Sequence, residues 1–393
     1  KYTLEPLVYV GPAEGLPKES WQLRSAEELL DLKVCDMACG SGAFLVQACR
    51  YLAARLLEAW DAVERAHPGT LHITPEGKPA SGEPGELLIP DDPEERQTYA
   101  LRIVAQRCLY GVDKNPLAVE MAKLSLWLLT LAKDKPFEFL DHAIRCGDSL
   151  VGIHNTEQLA TFSLDGKGAQ RQIFVRFLHQ HIKQAIALRQ SIADTQANTV
   201  EDVETQAHKL QEANERLERL KTAADLLIAA ELTPGSASDK RHAHDKHAIL
   251  LERDLHSPNP NDLKQKAKEA LAGHIPFHWP LEFPEVMIER GGFDAFVGNP
   301  PFKGGAALAT LFGSSWRDFV TTFIGNNAKT SRGQYDLCVF FFLRACQLRN
   351  RAGIVSAIAT NSFAQGDSKT IGLSQLYASG HEVIRALNDI SWP

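Results

Sequence analysis

The string Gly298-Asn299-Pro300-Pro301-Phe302 carries the most chemistry in this chain. Two consecutive prolines fix the backbone and supply no N–H, so the neighbouring carbonyls stay free to accept. The Asn299 side-chain oxygen and the Pro300 carbonyl together could take both hydrogens of an exocyclic amine. That would turn the nitrogen lone pair toward an electrophilic methyl group, and Phe302 would give a flat base a face to stack on. The bland alternative for the same five residues is a rigid surface turn.

Three strings upstream are candidates for holding the other reactant. In Asp36-Met37-Ala38-Cys39-Gly40-Ser41-Gly42-Ala43-Phe44, the two glycines let a ligand approach the backbone, and the helix start that follows offers exposed N–H groups. A tight turn with no ligand would use the same pair. Tyr110-Gly111-Val112-Asp113-Lys114 puts an acid where a ribose diol is held in nucleoside-binding α/β folds, although Asp113 could equally cap a helix. Gly147-Asp148-Ser149 puts a third acid at a strand end, able to accept from an adenine amino group or simply to shape a turn.

These strings need a sheet to line them up, and the surrounding pattern supplies one. Leu32 to Met37, Cys108 to Asp113, Ala143 to Cys146, Phe293 to Gly298 and Gly353 to Thr360 read as strands, with helices at 25–30, after Gly42, from Asp92 to about Arg107, and from Asn115 to about Leu131. Such alternation predicts an α/β, mostly parallel sheet with helices on both faces. A Pro- and Gly-rich stretch from about 66 to 91 reads as a surface excursion. Between about 156 and 275 the texture changes: Ala207, Leu210, Ala213, Leu217, Leu220, Ala224 and Leu227 recur at steps of three and four. They predict a helical or coiled-coil arm, with a helix over about 172–193 as its antiparallel partner. The chain thus divides into 1–155, 156–275 and 276–393.

Bulk composition narrows the class. The net charge of −7 argues against a chain that grips nucleic acid with its whole surface, though not against a local basic track; Lys303, Lys329 and Arg332 are the candidates for one. The first residues lack the apolar core of a secretory signal and no run is long enough to cross a bilayer, which points to a cytoplasmic protein with no membrane partner. Cys35, Cys39, Cys49, Cys108, Cys146, Cys338 and Cys346 read as reduced thiols. No Cys/His spacing suggests a metal, and His242, His244 and His247 read as a solvated helix face.

In this order, the Asp36–Gly42 string, Asp113, Asp148 and Asn299-Pro300-Pro301-Phe302 resemble the amino-methylating DNA methyltransferases with gamma-type motif order, with Met37 where the family usually has proline. His278-Trp279-Pro280-Leu281-Glu282-Phe283-Pro284-Glu285-Val286 and Gly291-Gly292-Phe293-Asp294 look like the large adenine methylases of restriction and phage-defence systems, including type IIG, BREX and DISARM enzymes. The resemblance implies a Rossmann-like class I fold, S-adenosyl-L-methionine as cofactor, double-stranded DNA as substrate, and other subunits of a defence system as potential partners. It implies that Asp36, Ala38, Gly40 and Gly42 border the methionine moiety, with Cys39 and Phe44 beside them. Asp113 and Lys114 would lie at the ribose, Asp148 and Ser149 at the cofactor adenine, and Asn299, Pro300, Pro301 and Phe302 at the target base.

Two departures accompany it. Asp113 lies 77 positions after Asp36, against roughly 20 in a compact dinucleotide fold, so extra structure must sit between the first two strands. Neither a cofactor-closing segment before the first motif nor a recognition domain after the last is evident, which suggests an excerpt of a longer protein. The alternatives are a protein-glutamine or RNA methyltransferase, and a non-catalytic scaffold that keeps the fold.

Overall fold

The computed structural model describes residues 1–387 except 70–71, 84, 134, 166–171, 196, 255–259 and 327–334. Its centre is a five-stranded sheet of β1 (Val34–Asp36), β2 (Leu109–Asp113), β3 (Ile144–Cys146), β4 (Phe293–Gly298) and β5 (Arg349–Ala357). Their spatial order is β3-β2-β1-β4-β5, and every neighbouring pair is parallel. The chain therefore builds outward from β1 to one edge, then returns to its other side. The point of return, between β1 and β4, is where open α/β sheets leave a crevice at the carboxyl ends of their strands.

The strands are short and apolar because both of their faces are covered. Val34, Leu109 and Ile144 join one buried cluster with α1 (Ala26–Asp31), α2 (Ala43–Ala66), α3 (Pro93–Cys108) and α4 (Pro116–Leu129). Cys35, Tyr110 and Phe296 face the opposite cluster. The wide spacing of Asp36 and Asp113 is explained by what lies between β1 and β2: α2, a small hairpin pairing His72–Ile73 with Pro79–Ala80, and α3. The expected surface excursion is docked rather than loose, because Ile73 and Ile89 are buried and Trp60 donates to the Pro75 carbonyl.

Between β3 and β4 come α5 (Gln172–Asp194), α6 (Val200–Leu232), α7 (Ala237–Asp254) and α8 (Pro260–Ala270). Thr199 opens α6 with a reciprocal capping box to Asp202, and α5 packs along it. The inner half of this arm does not project. Leu220, Leu226, Leu227 and Ile228 are fully buried in the same cluster as the sheet face. At roughly 1.5–3 kcal/mol for each such side chain, burial against the body far exceeds what an isolated hairpin seam supplies. The seam is ionic as well as apolar. Glu282 accepts from Arg145 on β3 and pairs with Lys221 on α6, both at 2.7 Å, while Glu285 pairs with Arg189 of α5 at 2.6 Å and accepts from Tyr110 of β2.

One expectation changes here. The histidine face of α7 is not solvated throughout: His247 is buried against the Leu226 carbonyl and His244 meets Glu231, because α7 packs on α6. On α4, Val119, Ala122 and Leu126 face inward, while Leu117, Met121, Leu124 and Leu128 point outward.

Candidate active site

The parallel sheet brings the predicted residues to one rim. Asp36 ends β1, Asp113 ends β2, Asp148 follows β3, and Asn299 follows β4. The loop after β1 is bound to β2 by its own amides: Cys39 N donates to the Val112 carbonyl, and Gly40 N donates to Asp113 Oδ2 at 2.9 Å. Gly42 takes a left-handed φ of +82° at the cap of α2, and a Cβ there would press on Ala122 at 3.1 Å. Gly40 also has positive φ, yet nothing lies within 4 Å of where its Cβ would be, so the loop opens onto free space. The bland reading of Asp113 as a helix cap fails, because Asn115 caps α4 and Asp113 accepts from Asn115 N instead.

Asp36 is buried, with one oxygen taking the Ala38 amide at 3.0 Å. Burial, reinforced by the negative charge of Asp113, pushes its carboxyl up to about 7. A cationic group brought beside it would reverse that shift. A Cβ on Gly298 would stand 2.6 Å from Asp36 Oδ1, so the Asn299 loop passes directly over this carboxyl. Asn299 Oδ1 is buried and has no hydrogen-bond partner among the described residues. Pro300 is buried too, whereas Pro301 and Phe302 are exposed.

Phe44 and Gly298 line a cleft of about 200 Å³ that also takes in Thr3, Leu4, Gln47, Val297 and Ser356. Asp36, Gly40, Gly42, Asp113, Asp148 and Asn299 are not among its lining residues. The opening residues of the chain therefore meet α2 and the ends of β4 and β5 beside the rim, a placement not read from the sequence. Also unread was the helical pair after the Asn-Pro-Pro-Phe string, α9 (Gly305–Phe312) and α10 (Ser314–Phe323). It reaches Asp148, whose Oδ2 accepts from Trp316 Nε1 and pairs with Lys114 Nζ, both at 2.9 Å; Phe312 packs on Trp316 and lies under the Lys114 ammonium. Only the clustering of aromatics at 312–323 hinted at this. Ser149 is turned inward, donating to the Met37 carbonyl, and so ties β3 to the first loop.

Lys303 is exposed beside the loop, while Lys329 and Arg332 lie outside the described residues. All seven cysteines are free, and Cys39 is buried beneath its loop. Among the described residues there is no His/Cys/Asp/Glu group that could hold a metal, and no helix long and apolar enough to cross a membrane.

A sheet of this order, with a glycine loop after its central strand, acids along its rim and, among the described residues, an unpaired amide oxygen just past the adjacent strand, defines a Rossmann-like methyltransferase domain. The chain belongs to the Eco57I restriction-modification methylase family, whose description matches residues 107–387, more than half of its length. Residues 16–153 are similar to the DNA-methyltransferase domain of MmeI. A curated relative, a putative type II restriction enzyme and methyltransferase from Methanocaldococcus jannaschii, is 24% identical over 389 aligned residues, spanning 86% of this chain and 27% of the relative. The chain thus covers little more than a quarter of that relative's length.

Proposed function

We propose that this chain transfers a methyl group from S-adenosyl-L-methionine to the N6 amino group of a flipped adenine in double-stranded DNA, as the modification activity of a restriction or phage-defence system. The observation that carries the reading is the buried, unpartnered Asn299 Oδ1. Leaving such an acceptor unmade costs about 1–3 kcal/mol, so its retention beside two prolines suits an oxygen kept for a substrate amine. The Pro300 carbonyl would take the second hydrogen, and exposed Phe302 would stack on the base.

The rim also fits the cofactor. S-adenosyl-L-methionine supplies a sulfonium-activated methyl group when bound. Asp36, Ala38, Cys39, Gly40, Gly42 and Phe44 would border its amino-acid end, where an ammonium would return Asp36 to its charged form; the Thr3 side of the cleft would close that end. Asp113 keeps lone pairs for a ribose diol beyond the amides it already serves, with Lys114 alongside. Asp148 and Ser149 are the proposed adenine edge, but Lys114 or Trp316 would have to yield Asp148 Oδ2 for a direct contact there. Alignment of the amine and relief of its developing positive charge by Asn299 are the work of the protein; the departing proton goes to solvent. On this reading residues 1–155 and 276–393 are halves of one cytoplasmic catalytic domain, 156–275 is an insertion, and other defence subunits are candidate partners.

The test is methyl transfer from radiolabelled S-adenosyl-L-methionine to unmethylated double-stranded DNA, followed by nucleoside analysis. N6-methyladenine, lost by about 10²–10³-fold in Asn299→Ala, is the expected result. N4-methylcytosine as the product would correct the target, transfer to RNA or protein would replace it, and no transfer by a folded, cofactor-binding chain would favour a scaffold.

A further inference from the structure

Asp336 lies 37 residues beyond Asn299 in sequence, yet it meets the loop that Asn299 begins. It is 9% exposed and has no cationic partner among the described residues. Four donors surround its carboxylate instead. Oδ1 accepts from the backbone amides of Lys303 and Cys338, each at 3.2 Å, and Oδ2 accepts from the hydroxyls of Thr360 and Ser362, each at 3.3 Å. The backbone reinforces the join: Leu337 N donates to the Lys303 carbonyl at 2.8 Å, and Gly304 and Asp336 form an isolated antiparallel bridge. Asp336 N donates in turn to Ser368 Oγ at 2.9 Å.

One side chain thus fastens the residue after Phe302 to the start of α11 (Cys338–Leu348) and to the turn that follows β5. Capping α11 would need only the bond to Cys338 N. The bond to Lys303 serves no helix, and it fixes the downstream end of a loop whose upstream end is fixed by β4. The two prolines make the intervening residues stiff, so a rigid segment held at both ends has one geometry.

We propose that Asp336 is the positioning residue of the Asn299–Phe302 loop, setting the place of the Asn299 oxygen without touching substrate; this rests on that loop being the site of methyl transfer. Asparagine can reproduce the arrangement, since its oxygen can take both amides while its NH2 faces hydroxyls that also accept. Alanine cannot, and glutamate keeps the charge while moving it by one methylene.

The experiment compares the full chain with Asp336→Ala, Asp336→Asn and Asp336→Glu in three measurements: hydrogen exchange over residues 299–304, calorimetric titration with S-adenosyl-L-methionine, and methyl transfer to unmethylated DNA. In D336A, exchange of the loop should rise about ten-fold as Lys303 loses its charged acceptor. Its kcat should fall about 100-fold through misplacement, with cofactor Kd within about two-fold of wild type. D336N should restore both, and D336E should fold normally yet lose about ten-fold in kcat. Unchanged loop exchange in D336A, unchanged kcat in D336E, or a loss of protection spread over the whole sheet would each overturn the assignment. A wild-type chain that methylates no DNA would sink the functional reading instead, while the exchange arm still decides whether Asp336 holds the loop.

Discussion

Two of the places where this molecule buries charge do so in opposite ways. In the seam between the sheet and the inserted helices, each acid meets bases: Glu282 sits between Arg145 and Lys221, and Glu285 faces Arg189. Burial alone would raise Glu282, but the two cations outweigh it and hold the carboxyl well below the usual range. At the rim, Asp36 is bound by a backbone amide, faces the like charge of Asp113 and is pushed up to about 7, while Asn299 Oδ1 has no partner among the described residues. Unmet polar atoms occur elsewhere among the described residues too, including Gln206 Oε1 on α6, His142 Nδ1 and Glu138 Oε2; what sets the rim apart is that its unmet acceptor stands beside an acid without a cation, at the carboxyl ends of the strands.

The contrast can be broken at either end. The largest effect should come from Glu282→Ala, which leaves the mostly buried Lys221 and Arg145 without their shared carboxylate; about 3 kcal/mol of stability should be lost in denaturant titration, with cofactor affinity intact wherever the chain stays folded. A loss below 1 kcal/mol would mean the seam is held by apolar contacts alone. Next is Asp113→Ala, expected to weaken S-adenosyl-L-methionine by about 10–100-fold in calorimetry, as the Gly40 amide and the proposed ribose site lose a charged acceptor. Unaltered affinity would remove Asp113 from the cofactor site.

The smallest effect is a pH dependence. Asp36 ionises near 4 when unfolded and near 7 when folded, so between those values the folded chain holds a proton that the unfolded chain has released. Its contribution is intact below about 4 and is lost as pH rises to about 7. The Tm of Asp36→Asn relative to wild type should therefore climb across that window and then level off. Glu138, also raised to about 7, and His142, lowered to about 4 by burial, titrate alike in both chains and cancel in the difference. A flat difference would mean that Asp36 is already charged in the folded chain.

Much of the rim was legible because its signals are local: a glycine pair after a strand, acids at strand ends, and Asn-Pro-Pro after Phe293–Val297. What could not be read depends on distant pairing. Nothing near Trp316 announces that its indole donates to Asp148, 168 residues earlier, and Thr3 joins the cleft only because the sheet brings Phe44 and Val297 beside it. The burial of α6 had an available signal. From Ala223 to Ala230 it is apolar on nearly every side, and a helix with no polar face belongs inside. The heptad-like spacing of its first half drew attention to an arm.

The placement of the insertion has a consequence for how the molecule is born. β1 is the centre of the sheet, yet one of its two neighbours, β4, follows only after the long helical segment; the Lys33 amide waits for Asp294, 261 residues downstream. At about 5–20 residues per second of synthesis, that side of β1 stays uncovered for roughly 10–50 s. Through this interval α1, α2, α3 and α4 can fold over one face, while the opposite face and the β4 edge remain open to other chains. The rim is thus assembled only after the insertion has been made, joined by the same strand that delivers Asn299.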